Sequence, residues 1–287
     1  MTLPPTWMDT GIRRRLLSAI ARDAFRVSDR LTLTATVRHD DYDDLGAFTS
    51  PRAAAVWRIN DQNILKLQYA KAFRPPTFYE LAFPGPGAIE AAEIATYELG
   101  DILRRSLWEA RVILFRSDLT DPILFDELGS GGFTNGPDAE LRGVELEYLQ
   151  RLGRRLKIDA NLSYVDATDT ATGDDLPGGA SLLGNLAFLW QARDHRTAAL
   201  QWRYVGERSR EPNDPRPPLD PYSLLDLTLN WHASTPGLDL HLGIKNLADS
   251  QVRYADQFQS FGGIPLPYPD SYPRPGRQLW LSVGYRF

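Results

Sequence analysis

Apolar and polar residues alternate along much of this chain. In the segment LKIDANLSYV (156–165), Leu156, Ile158 and Leu162 fall on one face, and Lys157 and Asp159 fall on the other. A period of two residues is typical of a β-strand with one apolar face, because successive side chains point to opposite sides. The same period recurs in LTLTATVRHD (31–40), LDLTLNW (225–231), LDLHLGIKN (238–246) and LWLSVGYRF (279–287).

The alternating pattern predicts thirteen strands. Most of them span about ten to twelve residues, whereas the usual strand has about five or six. This length suits a tilted strand that crosses a membrane, which needs about 9–11 residues. The predicted strands lie near 15–27, 30–40, 48–59, 63–73, 95–105, 107–118, 140–151, 154–166, 181–192, 196–207, 222–232, 237–246 and 277–287.

The predicted connections are alternately short and long. Short ones such as 60–62 and 151–154 are followed by long ones such as 74–94, 167–180 and 247–276. Successive connections of an antiparallel meander lie at opposite ends of the sheet. One end therefore has tight turns and the other has long loops, which is the arrangement of bacterial outer-membrane barrels.

The alternation by itself fits a soluble sheet with an apolar core as well as a membrane barrel with its apolar face toward lipid. Strand length, the sorting of loops by end and the position of the aromatic residues favour the barrel. Aromatic residues are also common in strands of any kind. Those near predicted strand ends are Trp57, Tyr69, Tyr164, Trp190, Tyr204, Trp231, Tyr285 and Phe287.

The polar register also carries the charges in the middle of the clearest strands. Asp159, Asp226, Asp239 and Glu145 all fall on it. A charge that faced lipid at the bilayer midplane would cost about 2–4 kcal/mol. The sequence therefore predicts an all-β, antiparallel transmembrane barrel with a polar interior.

Composition excludes several classes of function. The chain has no cysteine, which rules out disulfides and thiolate metal sites, and a net charge of −5 with dispersed basic residues argues against a nucleic-acid surface. The four histidines lack metal-ligand spacing, and no phosphate-binding loop or catalytic motif is present. We therefore expect no enzyme activity, no metal, no cofactor and no nucleic-acid partner.

Several segments resemble the TonB-dependent outer-membrane receptors. YAKAFRPPTFYEL (69–81) is similar to a strand-exit motif of that family, and TYELG (96–100) and GVELEY (143–148) are similar to its strand openings. The pair LGIKNLADSQVRYADQF (242–258) and YPRPGRQLWLSVGYRF (272–287) resembles the family's closing pattern. Together these motifs cover most of residues 60–287 in the expected order.

The resemblance implies a barrel of 22 strands with a plugged lumen. It also implies a protein of the bacterial outer membrane that takes up a bulky, scarce nutrient, such as a ferric siderophore or cobalamin, with energy from TonB. Because no segment resembles the plug, which engages TonB, we expect residues 1–287 to be the C-terminal part of such a barrel, and therefore an incomplete barrel. The implied partners are outer-membrane lipid, the barrel-assembly machinery and a small-molecule or metal-chelate ligand.

The rim motif AFRPPTFYEL (72–81) supplies the first candidate ligand contacts. Two consecutive prolines end strand pairing. Thr77 and Glu80 have the spacing of a capping box, which predicts one helical turn. The resemblance places Arg74, Phe78, Tyr79 and Glu80 above the lumen, near an incoming ligand, although a purely architectural role for this rim is also open.

The long final loop and the C-terminus supply the remaining candidates. Tyr254, Phe258 and Tyr268 are aromatic residues among glycine and proline, which can grip a bulky ligand or pack the loops against each other. Val283, Tyr285 and the terminal Phe287 resemble the signal that the barrel-assembly machinery recognises. The acidic run DDYDD (40–44) is expected to be a solvated loop, since its spacing is not that of a calcium-binding loop.

Two other functions fit part of the pattern. One is a self-contained passive porin of about 12–14 strands, which needs an even number. The other is a soluble β-rich binding module, in which the apolar residues of the strands, including Ile158, Leu162, Leu227 and Leu281, would pack together in a two-layer core.

Overall fold

The computed structural model describes residues 13–126, 131–193, 195–210, 214–232, 237–256, 260–261, 264–265 and 271–285. Thirteen strands form one antiparallel sheet in chain order, which confirms the predicted number and fold class. They are β1 Leu16–Ser28, β2 Leu31–Tyr42, β3 Gly46–Arg58, β4 Asn63–Arg74, β5 Ala92–Arg104, β6 Trp108–Thr120, β7 Ala139–Leu152, β8 Leu156–Asp169, β9 Leu182–Arg193, β10 Arg196–Val205, β11 Tyr222–His232, β12 Leu238–Lys245 and β13 Gln278–Tyr285.

The long connections contain smaller secondary-structure elements. The helix α1 spans Phe78–Ala82. Three short antiparallel pairs join Ile123–Asp126 to Gly132–Asn135, Arg253–Tyr254 to Tyr272–Pro273, and Ser260–Phe261 to Ile264–Pro265. Within the described ranges, no helix has the length and apolar character required to span a membrane.

The sheet is open. Its order runs from β1 to β13, and in the described part of the chain neither edge strand pairs with a further strand. Because the antiparallel sheet has an odd number of strands, thirteen, its edge strands β1 and β13 point the same way. Every residue of β1 is exposed. The sheet therefore forms a single-layer wall that does not close on itself.

Tight turns and long loops lie at opposite ends of this wall, as the sequence predicts. We call these the turn end, with connections such as 153–155, and the loop end, with connections such as 75–91 and 206–221. The link between β2 and β3 at the loop end is an exception, because it contains only residues 43–45.

That exception corrects the expected acidic loop at 40–44. Asp40 belongs to β2, where it is buried and accepts hydrogen bonds from Ser18 and from Arg38, the latter at 2.7 Å. Asp44 pairs with Arg14 at 2.9 Å. The carboxylates are thus held by separate partners, and strand pairing continues through the first half of the acidic run.

The strand register collects the apolar side chains on one face. Ile158 lies opposite Phe188, and the same cross-strand row continues through Leu200, Leu227, Ile244 and Leu279. The adjacent row, from Asp159 through Ala187 and Gln201 to Asp226, carries polar groups on the other face. We call these the apolar face and the polar face.

The apolar face is not covered by a second layer. Leu162 is 42% exposed and Leu281 is 67% exposed, so the two-layer core required by a soluble module is absent from the described residues. The buried apolar residues among them are few and scattered: Ile89, Ala92, Ile102, Ala139, Leu219, Leu224 and Val252. An uncovered apolar face is what a lipid-facing barrel wall requires. The soluble alternative is therefore wrong.

Candidate functional site

The rim motif after β4 folds into a small, self-bonded unit. Pro75 and Pro76 cannot donate to a strand ladder, and β4 ends at Arg74. The Thr77 hydroxyl accepts a hydrogen bond from the Glu80 amide at 3.2 Å, and the Glu80 carboxylate accepts one from the Thr77 amide at 2.7 Å. These two bonds confirm the predicted capping box and start the helix α1.

Arg74 and Glu80, two of the predicted ligand contacts, bind each other. Arg74 donates to both carboxylate oxygens of Glu80 at 3.0 Å. Burial acts to raise the pKa of Glu80, but the hydrogen bonds from Thr77 and Arg74 outweigh it and hold that pKa below its ordinary value. The pair therefore stabilises the rim, and a role in ligand binding stays a prediction.

Phe78 and Tyr79 are also held by neighbouring parts of the loop end. The Arg14 guanidinium lies 4.9 Å from the centre of the Phe78 ring. The Tyr79 ring packs 5.1 Å from Phe83 and 5.6 Å from Phe133. Both side chains keep substantial exposure, so they remain accessible from outside.

The remaining predicted residues lie elsewhere. Tyr254 is exposed in the short strand beside Tyr272, and the guanidinium of Arg274 lies 5.0 Å from its ring centre. Val283 and Tyr285 are exposed on β13, opposite Leu240 and Leu238. Phe258, Tyr268 and Phe287 lie outside the described residues. The structure does not bring the rim motif and Tyr254 into one cluster in the described contacts.

An arginine-lined recess at the loop end was not predicted from the sequence. It has a volume of about 420 Å³ and is lined by Arg208, Arg210 and Arg216 from the loop 206–221, by Arg253 from the loop 246–277, and by Tyr222 at the start of β11. Three of the four arginines come from one loop, and the fourth comes from a segment more than thirty residues away. The recess is therefore a product of loop–loop contact.

Arg208 is the most confined cation of this recess. It is 8% exposed, donates to the carbonyl oxygens of Arg253 at 2.8 Å and Asp220 at 3.1 Å, and lies 4.9 Å from the centre of the Tyr222 ring. Within the described residues it has no carboxylate partner, and its buried Nε has no hydrogen-bond partner. A buried, uncompensated guanidinium favours an anionic or strongly accepting ligand.

The other side of the recess is a closed ion-pair network. Arg216 donates to Asp214 at 2.7 Å and to both carboxylate oxygens of Asp256 at 3.0 and 3.1 Å. Arg210 approaches the same two carboxylates and donates to the Ser271 hydroxyl at 2.8 Å. The network ties the loops 206–221 and 246–277 together and fixes the position of the recess.

This network changes the acid–base behaviour of its carboxylates. The hydrogen bond from Arg216 lowers the pKa of Asp214. Burial acts to raise the pKa of Asp256, but hydrogen bonds from Arg216 and other groups outweigh burial and lower it. A carboxylate whose pKa is lowered by folding stabilises the folded state at pH values above its ordinary pKa. This stabilisation is lost as the pH falls through the lowered pKa.

We therefore expect the two loops to separate in acid. The stabilisation that Asp214 and Asp256 provide should be complete above a pH of about 4, the ordinary pKa of aspartate. It should be lost as the pH falls toward the lowered pKa values of these two carboxylates. A spin label on a Glu207→Cys variant, in a chain with no native cysteine, reports loop mobility. Its mobility should rise sharply below that pH. In the Asp256→Asn variant the spin label should already be mobile at neutral pH, and its mobility should depend much less on pH. A pH profile of label mobility identical to that of the chain with Asp256 would contradict the prediction.

The run ERSREPNDPRPPLD (207–220) contains the only sequence signal for this region. It combines three arginines with four acidic residues and several prolines. That composition indicates a charged loop, but it does not say which charges are paired. Among the described residues, no group of three or more His, Cys, Asp or Glu side chains is placed to hold a metal ion.

A family model described as "TonB dependent receptor-like, beta-barrel" matches residues 2–247. The chain belongs to the TonB-dependent receptors. Membership confirms the family suggested by the strand-exit and closing motifs. The protein is therefore an outer-membrane β-barrel of a Gram-negative bacterium. The long loops of such barrels are extracellular and the tight turns are periplasmic.

Two curated relatives are enterobactin receptors. The chain is 22% identical to the ferrienterobactin receptor of Escherichia coli K12 over 96% of its own length and 43% of that receptor. It is 24% identical to the ferric enterobactin receptor of Pseudomonas aeruginosa, over 95% of the chain and 42% of that protein. This TonB-dependent barrel chain thus spans less than half the length of these relatives.

Solved structures show the same fold. A mutant of the Pseudomonas aeruginosa ferric enterobactin receptor superposes with a TM-score of 0.81 and 23% identity, over 96% of the chain and 45% of that structure. The siderophore receptor PirA from Acinetobacter baumannii gives 0.77 and 21%, over 96% and 46%. The copper transporter OprC gives 0.78 and 20%, over 96% and 47%. Proteins named for different cargoes therefore share this barrel wall.

Proposed function

We propose that this chain forms part of the barrel of a receptor that takes up an anionic ferric siderophore across the outer membrane. The observation that carries the proposal is the recess around Arg208, which offers a buried cation at the extracellular end that has no carboxylate partner among the residues that the structure describes. Ferric enterobactin, named for two relatives, is anionic because its catecholate oxygens outweigh the charge of the ferric ion. The tyrosine beside Arg208 adds an aromatic surface for catechol rings.

The same proposal assigns the polar face to the lumen. Ion pairs such as Arg111–Glu147 at 3.0 Å and Arg203–Asp226 at 2.8 Å line it. We propose that the chain supplies the C-terminal part of a longer barrel, since it spans 42–43% of the enterobactin receptors and neither edge strand has a further partner strand among the described residues. TonB would act through a plug segment enclosed by the full barrel. The role is transport without covalent chemistry.

Replacing Arg208 with alanine should weaken binding of ferric enterobactin by about 10- to 150-fold, because a hydrogen-bonded cation contributes about 1.5–3 kcal/mol to holding an anionic group. The measurement is quenching of intrinsic fluorescence when the detergent-solubilised chain is titrated with ferric enterobactin. Arg208→Lys should retain part of the affinity, since lysine keeps the charge but loses the planar fork of donors.

Arg142→Ala is the matched control. Arg142 also lies toward the loop end, but it is 66% exposed and pairs with Asp166 at 2.8 Å. Its loss should leave the affinity unchanged, and an uncharged ferric hydroxamate should bind wild type and Arg208→Ala equally. Failure of wild type to bind ferric enterobactin, or equal affinity of Arg208→Ala and wild type, contradicts the proposal. A steady single-channel current from the chain in a planar bilayer would support the porin alternative instead.

A further inference from the structure

A groove crosses the apolar face near the turn end of β9 to β13. Its volume is about 490 Å³, and its lining includes Trp190, Ala198, Leu229, Leu242 and Leu281. These five residues form one cross-strand row, because each lies directly opposite the next. The groove therefore runs across the lipid-facing surface rather than into the lumen.

The small side chain of Ala198 creates the groove. It lies between Trp190 on β9 and Leu229 on β11, and both larger side chains are exposed at 52% and 38%. The methyl group of Ala198 lies between the indole of Trp190 and the side chain of Leu229. It therefore leaves a slot in a surface that otherwise consists of large apolar side chains. A slot of this shape and chemistry suits a hydrocarbon chain.

One end of the groove carries a positive charge. Arg196 lines it, lies directly opposite Trp231 and places its guanidinium carbon 5.3 Å from the centre of that indole ring. Among the described residues, Arg196 has no carboxylate partner. Tryptophan marks the membrane–water interface in barrels, so Arg196 lies at the depth of the lipid headgroups.

Further arginines surround this end of the barrel wall. Arg154 and Arg155 are exposed in the neighbouring turn between β7 and β8. Arg105 repeats the arrangement of Arg196, with its guanidinium carbon 5.5 Å from the ring centre of Trp108. The turn end therefore presents positive charge to the periplasmic leaflet, whose lipids are phospholipids.

We propose that this groove is a binding site for an anionic phospholipid of the periplasmic leaflet. One acyl chain lies in the slot over Ala198, and the phosphate accepts hydrogen bonds from Arg196. The charge of Arg196 and its depth beside Trp231 select an anionic headgroup, while the slot selects an acyl chain. The site uses only the outer surface of the barrel, so it is independent of the cargo.

Native mass spectrometry of the full chain in mild detergent tests the proposal. The chain is titrated with phosphatidylglycerol or with phosphatidylcholine that has the same acyl chains. Wild type should prefer phosphatidylglycerol by about fivefold, since one arginine at the membrane surface contributes about 1 kcal/mol of attraction to anionic lipid. Arg196→Gln should remove this preference, and Ala198→Phe, which fills the slot, should lower binding of both lipids.

Two variants serve as matched controls. Ala110→Phe enlarges an alanine at the turn end of β6, two residues from Trp108 and opposite Leu103 and Tyr148, outside this groove. Arg142→Gln removes an exposed arginine from the opposite, extracellular half of the wall. Both should bind lipid like wild type. Retention of the phosphatidylglycerol preference by Arg196→Gln, or equal lipid binding by Ala198→Phe and Ala110→Phe, overturns the proposal.

Discussion

Replacing Leu200 with arginine should lower the free energy of unfolding of the barrel wall in lipid by about 2–4 kcal/mol. Leu200 lies at the middle of β10 on the apolar face, between Phe188 and Leu227. A charge at this depth would lose its hydration without gaining a partner. Urea unfolding of the chain in lipid vesicles, followed by tryptophan fluorescence, measures the change.

Gln201, which follows Leu200 in the chain, provides the control for this prediction at the same depth in the membrane. Gln201 lies on the polar face, directly opposite Asp226. Gln201→Arg would therefore enter the wet lumen beside a carboxylate and should change the free energy of unfolding by less than about 1 kcal/mol. If both arginines were equally costly, the apolar face would not be the lipid face, and the orientation of the whole sheet would be wrong.

Replacing Arg216 with methionine should destabilise the contact between the two large extracellular loops by about 3–5 kcal/mol, the usual cost of breaking a buried ion pair. The change leaves Asp214 and Asp256, whose side chains are 2% exposed, without their principal cation. Hydrogen exchange of the amides in 206–210, 214–221 and 246–256 measures the free energy of opening. Exchange in the strands should be unaffected.

Arg142→Met is the control for this second prediction. The ion pair between Arg142 and Asp166 is exposed, and its loss should cost between about 0 and 1 kcal/mol. Binding of ferric enterobactin should also fall in Arg216→Met, because the recess is built from both loops. If the loop amides of the Arg216→Met variant exchanged as slowly as those of wild type, the network would not hold the two loops together.

Much of the barrel wall follows from local pattern. The alternation of Leu225, Leu227 and Leu229 with Asp226 and Thr228 determines which face of β11 meets lipid, since a strand has only two faces. The capping box of Thr77 and Glu80 was predictable for the same reason, because its partners are three residues apart. Interactions of this kind depend on spacing along the chain.

The acidic run at 40–44 shows where local pattern fails. Four aspartates within five residues indicate a solvated loop, yet Asp40 is buried because Ser18 and Arg38 satisfy its carboxylate. Ser18 lies on the neighbouring strand β1. A partner that distant cannot be read from residues 40–44 alone.

The amino-acid pattern therefore settled the number of strands, their faces and the sorting of turns and loops. Tertiary contacts decided the two sites that we propose bind ligands. Arg208 meets the carbonyl of Arg253 across 45 residues, and Ala198 becomes the floor of a groove only because Trp190 and Leu229 are its cross-strand partners. Periodicity reports which side of a strand a residue occupies, but a binding site requires several strands or loops to converge, and that convergence depends on register and loop–loop packing.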